Sequence, residues 1–143
     1  MDKKDLIDQL IEKALKEDIG RRDVTTELLI PHSSISHARI IVKEAATICG
    51  LEVAQRVFRK LDSRLIFKPL AKEGEEVRSL SLVAHLKGKT RAILSAERVA
   101  LNFLGHLSGI ATRTRAFVRK IHPCKALIMD TRKTTPTLRW LER

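Results

Sequence analysis

The chain has 143 residues with a formal net charge of +11, and 43% of them are hydrophobic and 31% charged. This balance is typical of one globular domain, and no apolar run reaches the ~18 residues that a membrane span requires. The charge favours anionic partners, but an aromatic fraction of only 3% argues against a stacking platform for single-stranded nucleic acid. No signal peptide precedes the first amphipathic pattern, so we expect a cytoplasmic location.

The first predicted element is an amphipathic helix over residues 2–19. Apolar residues recur there at three- and four-residue spacing and form one stripe. Asp2 or Asp5 can cap the beginning of this helix, and Gly20 is suited to end it. The helix therefore has both a buried face and defined ends in the sequence.

A polar connector, residues 17–26 (Glu-Asp-Ile-Gly-Arg-Arg-Asp-Val-Thr-Thr), overlaps the end of this helix. Its carboxylates are a candidate metal cluster, but Arg21 and Arg22 interrupt them. We favour a loop held by hydrogen bonds between side chains and backbone, because Asp and Thr commonly form such bonds in connectors.

Residues 20–94 are predicted to form a mixed α/β layer, with a sheet and a helix against one of its faces. The helix is expected over residues 51–61, where Gly50 precedes a run of apolar residues at helical spacing. Gly74 and Gly88 are predicted to mark turns between strands. Strands are expected at residues 35–42, 47–49, 65–70, 80–86 and 90–94.

A second long helical pattern follows, with Ser95 as its candidate cap. We expect an interruption at residues 108–109 (Ser-Gly), a resumed helix over 111–121 and an end at His122 and Pro123. The apolar run at 126–129 is then typical of a short buried strand, although periodicity alone does not exclude a helix segment.

Thr131, Arg132 and Lys133 follow this run, ahead of two more threonines. Two adjacent cations and several hydroxyls at the carboxyl end of a strand form a candidate anion site. Arg offers a planar fork that matches a carboxylate or phosphate, and Lys offers a compact charge. A solvated basic turn is the competing interpretation, and the residues alone do not decide between the two.

The remaining residues with reactive side chains give no site. Cys49 and Cys124 are isolated among apolar neighbours and lack metal-ligand spacing, so we expect small buried thiols. His32, His37 and His85 have no acidic or Cys partner in register, and His106 is expected to pack or to face a dimer partner. We assign chemistry to none of the five histidines. We predict no metal ligand in this chain.

Three stretches together resemble quinolinate phosphoribosyltransferase, the carboxylating nicotinate-nucleotide pyrophosphorylase of NAD biosynthesis. They are residues 17–26, residues 94–112 (Leu-Ser-Ala-Glu-Arg-Val-Ala-Leu-Asn-Phe-Leu-Gly-His-Leu-Ser-Gly-Ile-Ala-Thr) and residues 130–136 (Asp-Thr-Arg-Lys-Thr-Thr-Pro). The middle stretch is the most specific, and its order and spacing relative to the last one fit the family.

The resemblance implies an α+β architecture, with an N-terminal α/β sandwich domain over residues 1–109. Residues 110–143 would begin an α/β barrel, with its first helix and with 126–130 as its first strand. Arg98 is similar to the arginine that the family's homodimer inserts into the partner subunit's active site. Thr131, Arg132 and Lys133 resemble residues that bind quinolinate's carboxylates and the phosphoribosyl donor.

The implied activity joins quinolinate to 5-phosphoribosyl-1-pyrophosphate with Mg²⁺. The expected products are nicotinate mononucleotide, pyrophosphate and carbon dioxide. Two local departures concern turns: Arg22 stands where many members have Gly, and residues 79–81 (Ser-Leu-Ser) lack a Gly. The acidic residues for the Mg²⁺-bound donor have no counterpart, so we expect a fragment, a truncated product or half of a split enzyme, inactive alone.

Three alternatives stay open. A related transferase acting on another aromatic acid would share the same stretches. A non-catalytic subunit could pair with a longer chain and supply Arg98. A basic module that binds nucleic acid is the least favoured, and we expect neither a nucleic-acid nor a membrane partner.

Overall fold

The computed structural model describes residues 3–143, so the predicted cap at Asp2 lies outside the described residues. The elements alternate between helices and short strands. In chain order they are α1 (Lys3–Ile19), α2 (Val24–Leu29), β1 (Ile35–Ile41), β2 (Ala46–Thr47), α3 (Leu51–Leu61), β3 (Ile66–Pro69), β4 (Glu76–Val77), β5 (Leu82–Lys89), α4 (Thr90–Ile121) and α5 (Arg139–Glu142).

The main sheet has three antiparallel strands in the order β1-β5-β3, and β2 and β4 form a separate two-stranded sheet. Alternation of apolar and polar residues gives the main sheet two different faces. On its outer face Arg39 lies opposite His85, which in turn lies opposite Lys68, and all three side chains are exposed. The inner face meets the helices and carries the buried apolar residues, while Ile35 and Ile66 are exposed on the outer face.

Helices α1, α3 and α4 share one hydrophobic core with the inner face of the main sheet. Val57 of α3 and Val83 of β5 are completely buried, and the Phe58 and Phe67 rings lie 6.1 Å apart between helix and strand. The predicted mixed α/β layer is confirmed by this packing. No helix in residues 3–143 is both long and apolar enough to cross a membrane.

Three predictions are wrong because α4 runs without a break from Thr90 to Ile121. Residues 90–94 form its first turn and not a strand, and Ser95 lies inside the helix and does not cap it. The expected break at Ser108 does not occur because this buried side chain is tied to the segment before α3. Its Oγ accepts from the Cys49 N–H at 3.0 Å and donates to the Cys49 carbonyl at 3.1 Å.

Two smaller predictions about connectors also need correction. The connector at 17–26 is not a loop throughout, because α2 begins at Val24 with Asp23 as its N-cap. The expected bond between side chain and backbone is present, since Asp23 Oδ1 accepts from the Thr26 N–H at 3.1 Å. Gly88 lies within β5 and not in a turn. A Cβ at Gly88 would come within 2.9 Å of Leu65 Cγ, so the glycine permits close packing there.

Residues 126–130 do not form the predicted strand. Leu127 is 84% exposed and Met129 is 78% exposed, so the apolar run is not buried either. A strand needs a neighbour for its backbone N–H and C=O groups, and no other strand in the described part of the chain pairs with this run. The sequence pattern is that of a buried strand, but the contacts that would bury it are missing.

The cysteines are also less buried than predicted. Cys124 lies just after the end of α4 and is exposed. Cys49 is partly buried, and this burial, together with the neighbouring Glu73 carboxylate, raises the pKa of its thiol. The prediction of a buried thiol is therefore wrong for Cys124.

Candidate functional site

Arg98 lies in the first half of α4 with its side chain 73% exposed. Its Nη1 donates to Oδ1 of Asp18 at 2.9 Å, and Asp18 belongs to the last turn of α1. Among residues 3–143, no group accepts a hydrogen bond from the Nε or Nη2 of this arginine. Exposed ion pairs contribute about 0–1 kcal/mol to stability, so this contact mainly affects where the guanidinium points.

A second carboxylate, that of Asp23, contacts α4 at Ser95, about one turn before Arg98. It caps α2 and also accepts from Ser95 Oγ at 2.8 Å. Hydrogen bonds from Thr26 lower the pKa of Asp23 most, and the Ser95 bond and the positive charge of Arg98 lower it further. Asp23 is therefore held ionised and close enough to Arg98 to interact with it electrostatically.

Arg91 fixes the other end of α2 to the first turn of α4. Its Nε donates to the Ile30 carbonyl at 2.7 Å and its Nη2 donates to the Glu27 carbonyl at 2.7 Å. Its Nη1 lies 3.0 Å from Nε2 of His32. Carbonyls at the end of a helix carry partial negative charge, so a guanidinium stabilises this end of α2.

These contacts form one continuous arrangement, which we name the strap and define as residues 18–32. It runs antiparallel to the first half of α4 and is held by the side chains of Arg91, Ser95 and Arg98. Those three residues are four and three positions apart, so they lie on one face of the helix. The strap brings the Asp18 carboxylate to Nη1 of Arg98 and holds the Asp23 carboxylate within electrostatic range of it.

Thr131, Arg132 and Lys133 lie in the exposed segment between α4 and α5. The Lys133 backbone N–H donates to Thr131 Oγ1 at 3.0 Å, and Arg139 Nη2 donates to the Arg132 carbonyl at 3.3 Å. These bonds involve the backbone of Arg132 and Lys133 and not the charged groups of their side chains. Within residues 3–143 no carboxylate forms an ion pair with Arg132 or Lys133, so both cations are available to an added anion.

The end of the chain is held against α4 by Glu142. Its Oε1 lies 2.8 Å from Nε2 of His106, and its Oε2 accepts from the Thr135 N–H at 2.9 Å. Hydrogen bonds from Thr135, and next the bond from His106, lower the pKa of Glu142. His106 thus packs against the chain's own last helix, and the expectation that it faces a dimer partner stays a prediction.

A cleft of about 450 Å³ lies between α1, α4 and this last segment. Asp18 lines the cleft on one side and Leu138 on another, so the strap and the C-terminal segment meet there. Arg98 lies on α4, whereas residues 131–133 lie in the segment between α4 and α5, so the predicted site residues belong to two different parts of the chain. The cleft is lined by Ala14, Glu17, Asp18, Val99, Asn102, Phe103, His106 and Leu138.

Metal ligation does not fit the residues present. The described residues contain no group of three or more His, Cys, Asp or Glu side chains that could hold a metal ion. Arg132 and Lys133 are cationic and do not ligate Mg²⁺, which takes oxygen donors and carboxylates above all. We therefore derive no step through a metal from this chain.

Comparison with protein families identifies the chain. The N-terminal domain model of quinolinate phosphoribosyl transferase matches residues 23–108, and the C-terminal domain model matches residues 110–143. The chain belongs to the quinolinate phosphoribosyltransferase family. The resemblance described from the sequence is thereby confirmed.

Individual relatives agree with this family. A probable carboxylating nicotinate-nucleotide pyrophosphorylase from Synechocystis is 44% identical over 96% of this chain and 46% of its own. The crystal structure of NadC from Streptococcus pyogenes matches with a TM-score of 0.91 at 40% identity, over 94% of this chain and 48% of that one. The nicotinate-nucleotide pyrophosphorylase structure from Francisella tularensis matches with a TM-score of 0.92 at 34% identity, over 99% and 50%.

These matches confirm the expected fold class of the family's mixed helix and sheet architecture. The chain spans about half the length of the relatives it matches. Sequence reasoning missed Asp18, Asp23, Arg91 and Ser95 as partners around Arg98. A signal for Arg91 and Ser95 was present in their spacing from Arg98, but the strand predicted at 90–94 concealed the common helical face.

Proposed function

We propose that this chain forms the N-terminal half of a carboxylating nicotinate-nucleotide pyrophosphorylase. In this proposal the enzyme is a homodimer. It transfers phosphoribosyl from 5-phosphoribosyl-1-pyrophosphate to quinolinate and releases pyrophosphate and carbon dioxide. The observation that carries the proposal is the pair of exposed cations Arg132 and Lys133, which lack a carboxylate partner within residues 3–143 and directly follow Thr131 in the sequence.

The chemistry follows from charge. Quinolinate carries two carboxylates, and a guanidinium binds a carboxylate through two parallel N–H bonds that strengthen when water is excluded. We assign this role to Arg132 and to Arg98 of the partner subunit, while Lys133 and Thr131 reach towards the ribosyl donor. Loss of carbon dioxide leaves negative charge on the pyridine ring, and nearby cations would stabilise it.

The exposed position of Arg98 supports a role across a subunit boundary. Its Nε and Nη2 have no partner among the described residues, and its side chain is 73% exposed. An arginine that serves a neighbouring subunit would have this geometry. The domain division between residues 109 and 110 remains a prediction, and α4 runs through it.

Mg²⁺ would enter with the pyrophosphate donor, where it neutralises charge on the phosphate oxygens. Its ligands would include the donor's own oxygens. We also propose a cytoplasmic location, because both substrates are polyanions that do not cross membranes unaided.

The test is turnover by the protein purified as its own gene makes it, with any second chain that co-purifies. Formation of nicotinate mononucleotide and carbon dioxide from the two substrates is the expected result. Arg132→Lys should raise the KM for quinolinate about tenfold or more, because a lysine cannot reproduce the planar fork. Arg59→Lys, on the exposed end of α3, is the matched control. An unchanged KM in Arg132→Lys would remove this residue from the pocket.

A second candidate is a non-catalytic subunit that pairs with a longer homologous chain and supplies Arg98 to it. The exposure of Leu127 and Met129 favours this candidate, because these side chains lack a covering surface within residues 3–143. Activity restored to an inactive longer chain, by adding this chain but not its Arg98→Ala variant, would identify that role.

A further inference from the structure

We propose that Asp18 is a positioning residue for Arg98, and that the strap sets the direction in which this guanidinium reaches for a substrate carboxylate. The inference rests on the proposed function, since it needs Arg98 to bind quinolinate. It adds a role for residues 18–32 that does not involve contact with the substrate.

The geometry of the contact is the first argument. Asp18 engages only Nη1 of Arg98, at 2.9 Å. A guanidinium has five N–H donors in a fixed planar fork. The edge formed by Nε and Nη2 therefore remains open for a second carboxylate, and Asp18 holds the group in place without occupying that edge.

The weak energetic value of the contact is the second argument. The Arg98 side chain is 73% exposed, and an ion pair in that environment contributes little to folding stability. A free arginine side chain loses considerable rotamer freedom when it binds a ligand. Fixing the guanidinium before binding reduces this cost, so the pair serves affinity for the substrate more than it serves the fold.

The rigidity of the strap is the third argument. Asp18 lies where α1 ends, and its side chain is only 21% exposed. Just beyond it Asp23 is fixed by Thr26 and Ser95, and the far end of α2 is fixed by Arg91. Because Ser95, Arg91 and Arg98 all project from one helix, the strap is attached at several points to the same helix that carries the arginine.

The experiment is a double-mutant cycle on Asp18 and Arg98 in the assembled enzyme. Asp18→Ala should raise the KM for quinolinate about tenfold while kcat and the KM for the phosphoribosyl donor stay within about twofold. Asp18→Asn should give a smaller increase, because its amide oxygen still accepts from Nη1. When Arg98 is already Ala, adding Asp18→Ala should have no further effect, because the two substitutions act through one contact.

Glu12→Ala is the matched control, since it also removes an exposed carboxylate of α1 that is paired with a cation, Lys60. It should leave the KM for quinolinate unchanged, and thermal unfolding of all variants should stay close to the wild type. An unchanged or lowered quinolinate KM in Asp18→Ala, or an equal rise in both KM values, would overturn the positioning role.

The outcomes also separate this inference from the proposed function. Absence of turnover in the wild-type enzyme would contradict the proposed function. A normal quinolinate KM in Arg98→Ala would contradict the assignment of Arg98 alone. A raised KM in Arg98→Ala together with a normal KM in Asp18→Ala would contradict only the inference made for the strap.

Discussion

The layer formed by residues 3–121 and the segment formed by residues 122–143 have similar apolar patterns but different surroundings. In the layer, side chains such as Leu65 and Val83 are buried between helices and sheet. In the segment, Leu127 and Met129 are exposed and the backbone around them forms no strand. The difference shows that an apolar pattern gives structure only where the same chain also provides the surface that covers it.

The largest effect is expected when a leucine side chain is removed from each region in turn. Leu65→Ala should lower the free energy of unfolding by about 2–5 kcal/mol, because it opens a cavity in the core above Gly88. Leu127→Ala should change it by less than about 0.5 kcal/mol, because this side chain is already in solvent. Urea unfolding followed by circular dichroism measures both, and equal losses would show that the segment is packed in solution.

An effect of intermediate size is expected on the packing of the C-terminal segment when the pH is lowered. The folded-state pKa of Glu142 is lowered, so its contribution to docking of α5 is fully present above its ordinary value near 4.5. This contribution is lost as pH falls through the lowered folded value, because protonation then removes the negative charge that strengthens the bonds from Thr135 and His106. The segment should therefore detach from α4 on acidification while the layer keeps its helices.

Trp140 is the chain's one tryptophan and lies in α5, so its fluorescence reports on this segment. Its emission should shift before the far-ultraviolet circular dichroism changes. In Glu142→Gln the early fluorescence change should be absent, because this side chain does not titrate. Coincident changes in both signals for the wild type would mean that segment and layer respond to acid as one unit.

The smallest effect concerns a turn inside the layer. Leu80 adopts a φ of +64°, which is unfavourable for a side chain with a Cβ, and it is 76% exposed. Leu80→Gly should raise the free energy of unfolding by about 0.5 kcal/mol, since relief of strain slightly exceeds the entropic cost of glycine. Leu80→Ala retains the Cβ and should bring no gain, so a gain in both variants would point to another cause.

The sequence predicted much of the layer because its signals are local. Gly20 ends α1 with a φ of +63°, and Gly50 precedes α3 with a φ of +100°. The apolar stripe of α3 is buried as expected except for Leu61 at its end, which is exposed. The missing Gly at residues 79–81 was noted from the sequence, and Leu80 adopts the backbone conformation that favours Gly. Local chemistry was sufficient at each of these positions.

Predictions failed where contacts distant in sequence decide the outcome. Residues 90–94 form the first turn of α4, and a short run of this composition does not separate strand from helix. The partners of Arg98 lie about eighty residues away along the chain, so the strap could not be read from spacing alone. Thr131, Arg132 and Lys133 were found by resemblance, and their roles remain predictions.

The outer face of the main sheet has a consequence for how copies of the protein behave in solution. Arg39, Lys68 and Lys87 project from it without an ion pair among residues 3–143, while β1 and β3 leave two strand edges unpaired. Open edges invite strands of other molecules, and charged side chains on them discourage such pairing. Repulsion between the charged faces of two molecules should thus oppose aggregation. Concentrated salt should promote aggregation, because it shortens the range of this repulsion.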